Sequence, residues 1–101
     1  MIFNRGETFD FSGPMSVLDA LDDAVDLSAW SITAAILMAG HTRRVPLTAT
    51  WLDAGHTAFQ VREADTSEWT EGDAEFGVTL ESPTGDVVKS TPVIITIRDW
   101  L

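Results

Sequence analysis

What most constrains this chain is an alternation of apolar and polar residues with a period of two, repeated along almost its whole length. Phe9 and Phe11 stand among Glu7, Thr8, Asp10 and Ser12. Trp30, Ile32, Ala34, Ile36 and Met38 form a second set, and Val45, Leu47, Ala49 and Trp51 a third. Phe59 with Val61, then Phe76, Val78 and Leu80, and finally Val93, Ile95 and Ile97 continue the pattern. Successive side chains of a strand point to opposite faces, so each set describes a strand with one face to bury. Gly40-His41-Thr42, Asp53-Ala54-Gly55-His56 and Pro83-Thr84-Gly85-Asp86 read as turns between them. Short strands with turns every ~8–12 residues predict an all-β sandwich or barrel, and the pattern by itself does not choose between the two. The expected core is Phe9, Phe11, Trp30, Ile32, Ile36, Leu47, Trp51, Phe59, Phe76, Val78, Leu80, Ile95 and Ile97.

Three places depart from the alternation. Met15, Leu18, Leu21 and Val25 recur at helical spacing after Pro14, while Met15, Val17 and Asp19 also fit a strand ending at Leu21-Asp22-Asp23. The strand is the favoured reading, because Asp26-Leu27-Ser28 resembles a turn leading into Trp30. Asp65 and Glu68 are spaced like a capping box and Gly72 like a C-terminal cap, which predicts one short helical turn. Trp69, between them, is placed to plug the end of the sandwich. Pro92 has no N–H to give to a ladder, so its part of the last strand is expected to be an edge or a bulge.

A chain of 101 residues is one domain, residues 1–101, burying somewhat less than ~70% of its unfolded surface. Cysteine is absent, so packing must hold the fold without disulfides or thiolate metal sites. Four tryptophans and five phenylalanines supply large apolar surfaces for that purpose. The opening Met1-Ile2-Phe3-Asn4-Arg5-Gly6 has no signal-peptide h-region, and no apolar run approaches the ~20 residues of a membrane span. A soluble protein that folds where it is made is the expectation. Sixteen acidic residues against six basic give a net charge of −10, which repels phosphate backbones. Neither nucleic acid nor a membrane is an expected partner.

Chemistry is sparse. His41 and His56 both lie in glycine-containing turns without convergent ligands, and read as solvated turn residues. Asp19, Asp22, Asp23 and Asp26 are acidic enough to suggest calcium, but their spacing is irregular and no glycine shapes the loop. No G-x-S-x-G is present, and no motif ties a serine to a histidine. A core of this size is expected to leave little room for a cleft of ~300 Å³ or more. The sequence therefore predicts no catalytic residue, no cofactor and no metal. The termini differ: Ile2-Phe3 and Trp100-Leu101 are large and apolar without polar alternation, so these four residues are the candidate interface.

The order of features resembles a known family. Arg5-Gly6-Glu7-Thr8 precedes an aromatic strand, and Asp26-Leu27-Ser28-Ala29-Trp30 leads into the apolar strand through Met38. Ala64-Asp65-Thr66-Ser67-Glu68-Trp69 closes at Gly72, and a hairpin follows across Ser82-Pro83-Thr84-Gly85-Asp86. This is similar to the small immunoglobulin-like domains of tailed-phage and prophage structural proteins, notably the N-terminal domain of upper-baseplate proteins. Leu21-Asp22-Asp23-Ala24 stands where that pattern has a glycine-rich corner. The resemblance implies an immunoglobulin-like two-sheet sandwich of about seven strands. It also implies a non-enzymatic virion protein, from tail, baseplate or an accessory part, made in the host bacterial cytoplasm. Such a protein would dock onto other virion proteins or onto itself. The competing expectation is a stand-alone module binding a carbohydrate or protein, for which a sugar site would need two or three aromatics on one exposed face.

Overall fold

The computed structural model describes residues 1–99, and its regular structure is β. The strands are β1 (Ile2–Arg5), β2 (Phe9–Pro14), β3 (Ser31–Leu37), β4 (Arg44–Trp51), β5 (Ala58–Glu63), β6 (Gly72–Glu81), β7 (Val87–Lys89) and β8 (Val93–Asp99). A 3-10 turn at Ala39–His41 links β3 to β4. The strands pair in the order β1-β8-β6-β3-β4-β5-β2, with β7 added to β6. All pairs are antiparallel except β1 with β8, where Phe3 stands opposite Ile97 in a parallel ladder.

β4 joins two groups of strands. Its first half, with Val45 opposite Ile36 and Leu47 opposite Ala34, belongs to β3. Its second half, from Thr48 to Trp51, belongs to β5. Pro46 lies in the half whose other edge carries no strand, where a missing N–H costs no ladder bond. The strip rolls until its two ends, β1 and β2, face each other, and the Phe3 and Phe9 rings meet edge to face at 5.4 Å.

Rolling encloses one core. Phe9 also packs on Phe76 and Trp69, at 5.5 and 5.4 Å, and Phe11 lies 5.0 Å from Phe76. Each large apolar side chain buried there stabilises the fold by about 1.5–3 kcal/mol. Of the residues expected inside, Phe9, Ile36, Leu47, Phe59, Phe76, Val78, Leu80, Ile95 and Ile97 are buried. Phe11, Trp30, Ile32 and Trp51 are half-buried. Trp51 is held at the margin because its Nε1 donates to the Trp30 carbonyl, 3.1 Å away.

Three local expectations are corrected. Residues 15–26 form neither strand nor helix. The Asp19 carboxylate accepts from the amides of Leu21 and Asp23, curling the chain into a tight excursion with only a Leu18–Ala24 bridge. The predicted helical turn near Asp65 is a reverse turn, in which Trp69 N–H donates to the Thr66 carbonyl at 3.1 Å. Asp65 accepts from Ser67 rather than serving a capping box, and Gly72 opens β6 instead of capping a helix. Trp69 does plug the end of the core, 3% exposed. Thr66 clasps this turn to the β1–β2 connection: its hydroxyl donates to the Glu7 carbonyl and accepts from Gly6 N–H. Pro92 falls just before β8 rather than within it.

Candidate functional site

At the β1–β8 end of the sheet, apolar side chains of two neighbouring strands stand in solvent. Inward alternation sends Phe3, Ile95 and Ile97 to the core, so Ile2 and Ile94 point outward on neighbouring strands. Ile2 is 60% exposed and Ile94 49%. The ladder continues into the first residue, whose carbonyl accepts from Thr96 N–H at 2.8 Å. Among the described residues, the other edge of β1 has no strand beside it, and its N–H and C=O groups are open to a further chain. Arg5 fixes the far end of β1, donating to the Trp69 carbonyl and pairing with Glu71 and Asp99 at 3.3 and 2.8 Å.

The expected interface residues therefore separate. Ile2 is available to a partner. Phe3 is not: at 8% exposure it is packed between Phe9 and Trp69 and anchors β1 to the core. Trp100 and Leu101 lie outside the described residues. Ile94 has no place in the alternating set, and the unbroken run Val93-Ile94-Ile95 is the signal that marks it, because a two-residue period demands a polar residue there.

The polar residues singled out by sequence are mostly occupied with turn geometry. His41 and His56 both have positive φ, 54° and 56°, a conformation in which histidine is enriched among non-glycine residues. His41 is exposed, with Nε2 3.9 Å from Glu75. His56 stacks on Trp51 with ring centres 4.4 Å apart, and its Nδ1 has no hydrogen-bond partner among the described residues. Asp53 ties the same turn together, accepting from Thr57 Oγ1 at 2.7 Å and from the amides of Thr57 and Ala58. The Thr57 hydroxyl bond, foremost, holds the Asp53 carboxyl below its ordinary range. The Ser28 amide does the same for Asp26. Asp19, Asp22, Asp23 and Asp26 do not converge, and among the described residues no three His, Asp or Glu side chains gather as a metal ion requires.

Open grooves of about 300 Å³ and more are present, where the sequence predicts little room for them. One, of about 420 Å³, runs along the seam between β2 and residues 90–93, over Phe11, Phe59 and Phe76. Its polar lining is serine and threonine, with no acid or base to move a proton. Among the described residues every phenylalanine and tryptophan ring is buried or half-buried. No helix among the described residues is long and apolar enough to cross a membrane. Comparison with known proteins finds no matching family model, curated protein or solved structure.

Proposed function

We propose that the chain is an immunoglobulin-like two-sheet sandwich acting as a non-enzymatic structural component of a tailed-phage or prophage particle. It works by docking onto other particle proteins or onto copies of itself. Strand order supports the architecture. An immunoglobulin domain places its third, sixth and last strands side by side in one sheet, and its second, fifth and fourth in the other. Here β3-β6-β8 and β2-β5-β4 are the corresponding neighbours, with β7 as an addition to β6. The phage setting is supported by the sequence resemblance alone.

The observation that carries docking is the exposed Ile2–Ile94 pair beside the open β1 edge. Lysine at both positions places charge on that edge, the usual way strands are kept from pairing. The double variant Ile2→Lys/Ile94→Lys is expected to melt within a few degrees of the parent, because surface changes of this kind move stability by no more than about 0.5 kcal/mol each. It is expected to lose incorporation into particles, or association with its partner, in a co-purification assay. Normal incorporation of a folded double variant rules this edge out.

A further inference from the structure

A second surface points to contact between copies. On β3 and β6 the inward residues Ala34, Ile36, Phe76 and Val78 fill the core, which turns Ala35 and Gly77 outward, opposite each other. Neither adds much side chain, and a groove of about 300 Å³ opens over them. Lys89 on β7 and Arg44 on β4 line it from opposite corners, three strand spacings (about 14 Å) apart across the sheet and four residues (about 13 Å) apart along it, or roughly 19 Å in all. Of the six basic residues, Arg5 and Arg62 are ion-paired and Arg43 donates to the Glu68 carbonyl; among the described residues Arg44, Lys89 and Arg98 have no carboxylate partner, and Arg44 and Lys89 share this groove. One carboxylate, Glu75, also lines the groove, facing His41.

The complementary shape is on the same chain. The tip of the 15–26 excursion carries Leu18 and Leu21, both exposed, and Leu21 at 81% is the most exposed of the described large apolar residues. Asp19, Asp22 and Asp23 surround it in sequence. The tip is held by its own bonds: Asp22 N–H donates to the Asp19 carbonyl, Asp19 N–H to the Asp23 carbonyl, and the Asp19 carboxylate fixes two further amides. It is therefore prearranged, which lowers the ordering cost of docking.

We propose that the acidic leucine tip of one copy seats in the Arg44–Lys89 groove of the next, with Leu21 over Ala35 and Gly77. The contact is heterologous, tip to groove, so it leads to rings or open filaments rather than closed two-fold pairs. It deepens the docking reading by naming self-assembly, yet does not use the Ile2–Ile94 edge, so the two can fail separately.

The test uses the full chain in two folded variants, Leu21→Asp and Arg44→Glu/Lys89→Glu, with sedimentation velocity across a concentration series. The parent should associate reversibly, and more weakly as salt rises from about 50 mM to about 500 mM, because the contact pairs opposite charges. Each variant alone should associate about 30-fold more weakly, the scale of losing a good interface anchor. Mixing the two should restore a 1:1 dimer and nothing larger, since together they hold one intact tip and one intact groove. A parent that stays monomeric, or a mixture that forms no dimer, overturns the proposal. Association that survives both variants but is lost in Ile2→Lys/Ile94→Lys overturns it while leaving the β1 edge as the docking site.

Discussion

Gly72 enters β6 with φ +117°, and a Cβ built there would stand 2.8 Å from the Ala39 Cβ. Two separate penalties thus act on Gly72→Ala: a backbone that L-residues rarely adopt, and a collision. Together they should destabilise by about 1–3 kcal/mol, read as a lower denaturant midpoint with unchanged slope. Adding Ala39→Gly removes the collision but not the strained φ, so it should recover part of the loss. Complete recovery would show that φ contributes nothing. Asp53 makes a pH prediction. Its carboxyl titrates below the ordinary range in the fold, so the stability it contributes is present above the unfolded pKa near 3.8. That stability is lost as pH falls through the lower folded value. Asp53→Asn keeps an acceptor but cannot titrate, and should flatten the acid limb of a melting-temperature profile. An unchanged acid limb would place the titration elsewhere, with Asp26 the next candidate.

Strands are the element that sequence describes best here, because a two-residue period is a property of neighbours. Every alternating set became a strand, and its large apolar members went inward or to the margin except Val93, which is exposed. Excursions are harder, since side chains can replace the ladder. In residues 15–26 the apolar spacing fits two periods at once, and the outcome is decided by Asp19 capturing two amides. The Asp65–Trp69 segment fails for a related reason: Thr66 turns its hydroxyl to the β1–β2 connection, sixty residues away in sequence by one bond and nearly so by the other. No local pattern encodes such a bond, nor the parallel pairing of β1 with β8, nor the division of β4 between partners. Of the proposed docking edge, Ile2 is legible as an apolar residue near the start, while Phe3 misleads because burial on Phe9 and Trp69 is a tertiary fact. Thr66→Val should test the clasp. It strips the partner from Gly6 N–H and the Glu7 carbonyl, and should cost about 1–2 kcal/mol with faster amide exchange in the β1–β2 connection. Unchanged exchange there would mean water replaces the hydroxyl without loss.

Across the whole molecule, sixteen acids face six bases, and the resulting self-repulsion opposes compactness. Against it stand a few ion pairs, Arg5 with Asp99 and Glu71 and Arg62 with Asp10, all at the surface. Exposed pairs of this kind contribute about 0–1 kcal/mol each. Salt screens both contributions, but with a net charge of −10 like-charge pairs outnumber opposite ones, so repulsion is the larger loss. The melting temperature should therefore rise when sodium chloride is raised from about 20 mM to about 500 mM, over which the screening length shrinks severalfold. Chloride is preferable to sulfate, which strengthens apolar burial by surface exclusion and would mimic the result. A falling melting temperature would mean that the ion pairs outweigh the repulsion. Association between copies complicates the reading, because any contact made by the folded state raises the apparent stability by mass action. That contribution has the opposite sign, since salt weakens an acidic tip in a cationic groove. At low protein concentration the melting temperature should rise with salt, and at high concentration the rise should shrink or reverse. The Leu21→Asp variant should show the rise at both concentrations.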